Sequence, residues 1–142
     1  MAEHGTIRIP DHEYKERAMR AAEIIRREGL DALIVNSNES DYANARYFSG
    51  FWPLFERCGV AISPAGDAVL MVGPESRHFA ADRSKIDKIF VLKEYREGAD
   101  PAYPELQADT YHDVFKALGI TGQKLRIGVA SYLDCLLYTS HP

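Results

Sequence analysis

The sequence predicts a layered α/β domain with helices on the faces of a mixed sheet of about five strands. Its 142 residues suffice for a single hydrophobic core. Segments with apolar residues at helical spacing alternate with short runs of branched apolar residues, which are typical of buried strands. Two such runs are separated only by residues 64–67, Pro-Ala-Gly-Asp, a sequence that favours a tight antiparallel turn. This order of elements calls for parallel and antiparallel pairing in one sheet.

The first two elements are predicted from apolar spacing and from the residues at their ends. A helix is expected from Asp11 to Glu28, with Pro10 as a start signal and Gly29 as a stop. The run from Leu30 to Asn36 shows no polar alternation, so we expect a central strand that is covered on both faces. The apolar positions that form one stripe of the helix are Tyr14, Ala18, Ala21, Ala22 and Ile25.

A short helix is predicted after the first strand. The polar stretch from Ser37 to Asn44 indicates a loop, and Ser40 or Asp41 could cap a helix that runs through Tyr47 and stops at Gly50. The strands of the hairpin that follows are predicted at Cys58 to Ser63 and at Ala68 to Gly73.

Helices and strands are also predicted to alternate in the second half of the chain. A helix is expected from Pro74 to Ser84 and a strand from Lys88 to Leu92. The prolines and glycine of Gly98 to Pro104 indicate a surface connection, which leads to a helix from Glu105 to Leu118. Alternation of polar and apolar residues from Lys124 to Val129 predicts the last strand.

Composition argues against several classes of partner. The 17 basic and 21 acidic residues give a formal net charge of -4, and the basic residues are scattered, so we do not expect nucleic acid as a partner. No apolar stretch reaches the ~18 residues of a membrane helix, and the amino terminus does not resemble a signal peptide. We therefore expect a cytoplasmic protein with no membrane partner. Cys58 and Cys135 are interpreted as reduced thiols, and Cys58 as a core residue.

Motifs for catalysis or metal binding are not found. No glycine follows the strand that ends near Val35, which argues against a nucleotide-binding turn. The sequence has no Gly-x-Ser-x-Gly elbow and no His-Glu-x-x-His pair. Glu75 and His78 form one Glu-x-x-His spacing, which we interpret as a solvated helix face. We predict neither catalytic nor metal-binding residues in this chain.

The segment from Arg46 to Phe55 carries five aromatic residues together with Gly50 and Pro53. Such a segment can fill the core, or it can form a subunit interface or a hydrophobic pocket in which Arg46 binds a carboxylate. The residues alone leave both interpretations open.

Several motifs together resemble the amino-terminal domain of creatinase, prolidase and aminopeptidase P. Their order and spacing agree with that family from about residue 8 to residue 130. The motifs are the helix with Tyr14 and Arg17, the run Gly29-Leu30-Asp31-Ala32-Leu33-Ile34-Val35, the pattern Asn44-x-x-Tyr47-x-Ser49-Gly50-Phe51, the hairpin around Gly66, and Arg126-Ile127-Gly128-Val129.

The resemblance implies a ribonuclease-H-like fold that precedes a larger pita-bread catalytic domain. Enzymes of this kind commonly cleave the bond before proline with two divalent metal ions, held by ligands of the second domain. We therefore expect residues 1–130 to be the non-catalytic N-terminal domain of an Xaa-Pro peptidase whose C-terminal catalytic domain is absent, and this chain alone to be inactive. Residues 131–142 match nothing in the family and are expected to be a truncated or foreign tail.

The resemblance also implies partners and a site. The partners would be the protein's own catalytic domain and a second subunit, in a homodimer or a larger oligomer, and the substrates would be proline-containing peptides. The residues expected at a substrate pocket or interface near the active-site mouth, where they would shape the pocket and exclude water, are Asn44, Arg46, Tyr47, Phe51 and Trp52.

Three alternatives remain at this stage. The chain could be a stand-alone binding or oligomerisation module of the same fold, or the N-terminal domain of a creatinase-like amidinohydrolase, which needs no metal pair. It could also be a small independent α/β enzyme with a titratable group at the strand ends, for which Asp31, Glu39 and Asp41 are the nearest candidates.

Overall fold

Helices and strands alternate along the chain in the order that the apolar spacing predicts. The computed structural model describes residues 8–98 and 107–130. Within these ranges the helices are α1 (Asp11–Arg27), α2 (Ala43–Ser49), α3 (Arg77–Arg83) and α4 (Tyr111–Ala117). The strands are β1 (Ala32–Ser37), β2 (Cys58–Ile62), β3 (Ala68–Val72), β4 (Ile89–Val91) and β5 (Ile127–Ala130). Single turns of 3-10 helix are formed by Pro74–Ser76 and Lys93–Tyr95.

The five strands form one mixed sheet in the order β4-β3-β2-β1-β5. β2 pairs antiparallel with both β1 and β3, whereas β4 and β5 are added in parallel at the two edges. The turn of the β2–β3 hairpin uses Gly66, whose φ of 90° is readily adopted by glycine. The predicted mixed sheet of five strands and the hairpin are therefore confirmed.

Helices cover both faces of the sheet because side chains alternate along each strand. On one face Val60 and Leu70 pack against α1, α2 and α3. On the other face Ala61 and Met71 pack against α4 and against Tyr95. β1 is an internal strand between β2 and β5, as its uniformly apolar run predicts, while β2 occupies the middle of the sheet. The result is a three-layer α/β/α domain.

Cys58 lies at the start of β2, where its side chain is fully buried in the core. The sequence-based interpretation of this cysteine is confirmed. Burial, and secondarily the charge of the adjacent Glu56, raises the pKa of the Cys58 thiol to about 12. Because the thiolate is the reactive form, this environment suppresses its chemistry.

Cys58 is accordingly expected to resist alkylation. In the folded chain at pH 8 we expect iodoacetamide to modify Cys58 at least about a thousandfold more slowly than an exposed thiol. Mass spectrometry of the peptide containing Cys58, with and without prior unfolding in urea, measures the difference. Equal labelling of the folded and the unfolded chain would contradict the burial of this thiol.

The start of α2 differs from the prediction. Neither Ser40 nor Asp41 caps the helix, because the Oδ1 atom of Asn38 accepts their backbone N–H groups at 2.9 and 2.7 Å and holds both residues in a turn. The Oγ atom of Ser37, at the end of β1, instead accepts the N–H group of Ala45 at 2.9 Å. The predicted stop is confirmed, since Gly50 adopts a φ of 69° and ends the helix.

The start of α4 also differs from the prediction. The helix begins at Tyr111, and the described residues just before it, 107–110, are not helical. Thr110 and Asp113 form a reciprocal capping box, a Thr-x-x-Asp signal that outweighs the apolar spacing upstream. Residue 109 belongs to the sheet edge rather than to a helix, since its backbone N–H donates to the oxygen of Val91. Most of the predicted connection, Gly98 to Pro104, lies outside the described residues.

Candidate functional site

A groove of about 940 Å³ opens where the amino-terminal end of α1, the helix α2 and the carboxyl end of α3 meet. Arg46 and Tyr47 reach it from α2, and Trp52 reaches it from the segment that follows Gly50. Gly50 turns the chain sharply, so residues on either side of it line the same surface. Three of the five residues expected at a pocket or interface thus lie together.

Arg46 stands in this groove between two aromatic rings. Its guanidinium carbon lies 5.0 Å from the centroid of the Trp52 ring and 5.9 Å from that of Tyr42. Trp52 in turn meets Phe79 of α3 edge to face, with centroids 6.4 Å apart. Cation–π contacts of this kind are worth about 0.5–1 kcal/mol at exposed sites. They restrict the side chain while leaving its N–H groups available.

Arg17 of α1 also lines the groove and was not among the predicted site residues. Its Nη1 donates to the backbone oxygen of Tyr47 at 2.7 Å, and its guanidinium carbon lies 4.4 Å from the Tyr47 ring centroid. Its Nε is 3.1 Å from the Oε1 atom of Glu13, one helical turn earlier. Arg17 therefore ties α1 to the end of α2 and fixes Tyr47 at the groove.

The groove concentrates positive charge in a chain of net negative charge. Lys85 pairs with Asp11 at 2.8 Å, and this hydrogen bond lowers the pKa of Asp11. Arg83 pairs with Asp82, also at 2.8 Å. The basic residues that line the groove are Arg8, Arg17, Arg46, Arg83 and Lys85, against the acidic residues Asp11 and Asp82. An anionic group is the ligand that such a surface favours.

Asn44 and Phe51 do not line this groove. The Nδ2 atom of Asn44 donates to the backbone oxygen of Asn36 at 3.4 Å, toward β1. Phe51 is fully buried in the core, with its ring centroid 5.6 Å from that of Phe79. The aromatic segment is thus divided between core and surface, since Phe55 is 48% exposed. Contact of any of these residues with a substrate or partner stays a prediction.

A second cluster was missed by the sequence analysis. Glu56, just before β2, is fully buried, and its Oε1 accepts the backbone N–H of Glu75 at 3.0 Å. Burial, and then the hydrogen bond with the Glu75 carboxyl group, raises the pKa of Glu56 to about 7. His78 is exposed, as the proposed solvated helix face predicts, whereas Glu75 departs from that prediction because it is only partly exposed and its Oε2 atom is buried. Two carboxyl groups in such contact favour sharing a proton.

The hairpin register brings this carboxyl pair together. Cys58 pairs with Val72 at the end of the β2–β3 ladder, so the residues just beyond this end, Glu56 before β2 and Glu75 after β3, lie close together. Sequence spacing alone does not single out two glutamates that are 19 positions apart, although the predicted hairpin brings the ends of its two strands together.

The remaining sequence candidates are dispersed. The Oδ2 atom of Asp31 accepts the backbone N–H of Arg126 at 2.7 Å beside β5, and Glu39 and Asp41 lie in the loop before α2. Among residues 8–98 and 107–130 there is no group of three or more His, Cys, Asp or Glu side chains that could hold a metal ion. No helix in these ranges is long and apolar enough to cross a membrane.

Most of the chain matches the model of one protein family. The family model described as the creatinase/prolidase N-terminal domain matches residues 17–140. This match includes residues 131–140, which the sequence analysis assigns to a separate tail. They lie outside the described residues, and the assignment stays a prediction. No curated protein matches the chain.

Solved structures resemble the chain in fold. A prolidase from Pyrococcus horikoshii is 22% identical with a TM-score of 0.55, over 87% of this chain and 28% of that one. An Xaa-Pro aminopeptidase from Streptococcus pyogenes is 17% identical with a TM-score of 0.56, over 92% of this chain and 84% of that one. A creatinase/prolidase-like N-terminal domain from Corynebacterium diphtheriae is 12% identical with a TM-score of 0.52, over 83% of this chain and 98% of that one. The chain thus spans about 28% of the length of the prolidase.

Proposed function

Since the chain belongs to the creatinase/prolidase N-terminal domain family, we propose that it is the non-catalytic N-terminal domain of a larger Xaa-Pro metallopeptidase. The family match over residues 17–140 carries this proposal. The prolidase and the Xaa-Pro aminopeptidase that share the fold support the choice of this enzyme type. A fold alone can serve many activities, so the activity remains a proposal about the whole protein.

The proposed role of this domain is to shape the mouth of an active site. Arg46, Tyr47 and Trp52 line one groove, and the rings beside Arg46 make a firm, partly apolar surface. Such a surface can exclude water from a neighbouring site and orient a peptide without breaking a bond. The partners in this proposal are the protein's own catalytic domain and a second subunit, and the substrates are proline-containing peptides.

Two divalent metal ions would belong to the catalytic domain in this proposal. The described residues of the present chain offer no suitable ligand set, so no step of the reaction is assigned to them. We further propose that residues 1–130 form the N-terminal domain and that 131–142 are a tail outside it.

The proposal predicts that the purified chain has no peptidase activity. Incubation with Ala-Pro and with Gly-Pro-containing peptides, in the presence of Mn²⁺, Co²⁺ or Zn²⁺, is expected to release no free amino acid above the no-protein control. Hydrolysis that is stimulated by metal and scales with protein concentration would overturn the non-catalytic assignment.

The source DNA downstream of residue 130 tests the parent protein directly. A continuous reading frame encoding two Asp, one His and two Glu in a second domain is expected. A verified stop codon after Pro142 would overturn the peptidase proposal and favour a stand-alone interaction module.

A further inference from the structure

Two arginines in the groove, Arg8 and Arg46, have no carboxylate partner among the described residues, and of these Arg46 is the one held by aromatic rings. Arg17, Arg83 and Lys85 each lie within 4.0 Å of a carboxylate, as the ion pairs above show. Arg46 has none within that distance among the residues that the structure describes. The contacts that the structure describes for its guanidinium group are with the rings of Trp52 and Tyr42, which carry no opposite charge. No carboxylate of the described residues therefore neutralises the positive charge of Arg46.

The geometry suits Arg46 to receive a carboxylate. A guanidinium group that stacks on aromatic rings keeps its in-plane N–H groups free for hydrogen bonds. Two parallel N–H groups match the two oxygens of a carboxylate. Because the rings already restrict the side chain, less conformational entropy is lost when the ligand binds. The contact of Trp52 with Phe79 extends this support to α3.

We propose that the groove binds an acidic peptide segment of a partner protein, with an Asp or Glu side chain of that segment paired to Arg46. The groove volume of about 940 Å³ far exceeds what one carboxylate needs, so the residues that flank the acidic side chain occupy the rest. Tyr47, 45% exposed, and Trp52 offer ring surface for apolar flanking residues. This inference rests on the proposed function, in which the domain contacts protein partners. It adds that the contacted segment is acidic.

A nucleic acid or a run of phosphates fits the groove less well. Several unpaired cations would be needed to follow a phosphate backbone. Three of the five basic residues in the groove already have carboxylate partners, and the whole chain carries a net charge of -4. A single carboxylate with apolar neighbours is the better complement.

Trp52, the sole tryptophan of the chain, provides the test. Its fluorescence is titrated with the blocked peptide acetyl-Ala-Leu-Glu-Leu-Ala-amide, with its Gln analogue, and with a 10-nucleotide single-stranded DNA. We expect a saturable change with the Glu peptide and affinity weaker by about tenfold or more for the Gln peptide, as loss of a charge-assisted hydrogen bond implies. Binding of the Glu peptide should weaken as salt is raised.

Matched arginine-to-glutamine variants test whether peptide binding depends on Arg46. Arg46→Gln is expected to weaken binding of the Glu peptide by about tenfold or more. Arg27→Gln removes the same charge from the far end of α1, where Arg27 is highly exposed, and is expected to change affinity less than about twofold. Circular dichroism confirms that both variants keep the fold. Arg46→Lys should restore only part of the affinity, because it keeps the charge and loses the planar fork.

Several outcomes would overturn the inference. They are the absence of binding by the wild-type chain, equal affinity for the Glu and Gln peptides, equal losses in the two glutamine variants, and tighter binding of the DNA. Tighter binding of unblocked Ala-Leu-Gln-Leu-Ala would also overturn it, by assigning the site to a terminal carboxylate. None of these results bears on the downstream reading frame, so failure here is distinguishable from failure of the peptidase proposal.

Discussion

Replacing Phe51 by alanine is expected to lower the free energy of unfolding by about 3–5 kcal/mol. Phe51 has no exposed surface and packs with Phe79 at the junction of α2 and α3. Truncation removes the buried ring and leaves a cavity that the sheet and helices cannot easily fill. Since a domain of this size is stable by about 5–15 kcal/mol, the variant should lose a large part of its stability.

Urea denaturation followed by circular dichroism measures this loss. The matched control is Phe55→Ala, four residues along the same segment. The Phe55 side chain is 48% exposed, so its truncation should cost less than about 1 kcal/mol. Similar losses in the two variants would show that the division of this segment into core and surface is wrong.

Glu56→Gln is expected to stabilise the domain at alkaline pH and to have little effect in mild acid. In the folded chain the pKa of Glu56 is raised from 4.5 to about 7, mainly by burial and then by the Glu75 carboxyl group. The folded state therefore holds the proton more tightly than the unfolded chain. The stabilisation from this proton is complete below pH 4.5 and is lost as the pH rises through about 7.

The free energy of unfolding of the wild type should fall by about 2–3 kcal/mol at pH 8 as this proton is lost, allowing for some screening by solvent. Glutamine has the shape of protonated glutamate, and its side-chain oxygen can still accept the N–H group of Glu75. The variant should accordingly match the wild type at pH 5 and exceed its stability at pH 8. The two carboxyl groups titrate as a pair, so the midpoint of this change belongs to the pair.

Unfolding free energies measured between pH 4 and 9 for the wild type and the variant give this comparison. Glu39→Gln, at an exposed loop residue, is the control and should leave the pH profile of stability unchanged. Parallel profiles for wild type and Glu56→Gln would refute a buried, proton-sharing carboxyl pair.

Much of the fold could be predicted because its determinants are local. The stripe of α1, the apolar run of β1 and the turn at Gly66 depend on residues that are close in sequence, and the structure confirms all three. The predicted ends of helices were less accurate. At α2 the side chain of Asn38 accepts the backbone N–H groups of Ser40 and Asp41, the expected caps, and holds both residues in a turn before the helix. At α4 a capping box at Thr110 was overlooked.

The candidate site could be predicted only in part. The cluster of aromatic residues around Gly50 predicts the segment that contributes to the groove, but composition does not predict which of its rings are buried. Phe51 and Trp52 are adjacent in sequence, and yet only Phe51 is fully buried. Arg17, 30 residues before Tyr47, could not be assigned to the site from its helical spacing, because its contact depends on how α1 packs against α2.

The sequence by itself determined the order of elements, the mixed sheet and the family, since these follow from apolar periodicity, turn residues and ordered motifs. The tertiary structure alone decided that Arg46 lies against Trp52 without a carboxylate partner among the described residues, and that the buried Glu56 contacts the partly exposed Glu75. The physical reason is that ion pairing, cation–π contact and pKa depend on distances of a few ångströms. Those distances are set by the packing of helices on the sheet and by strand register.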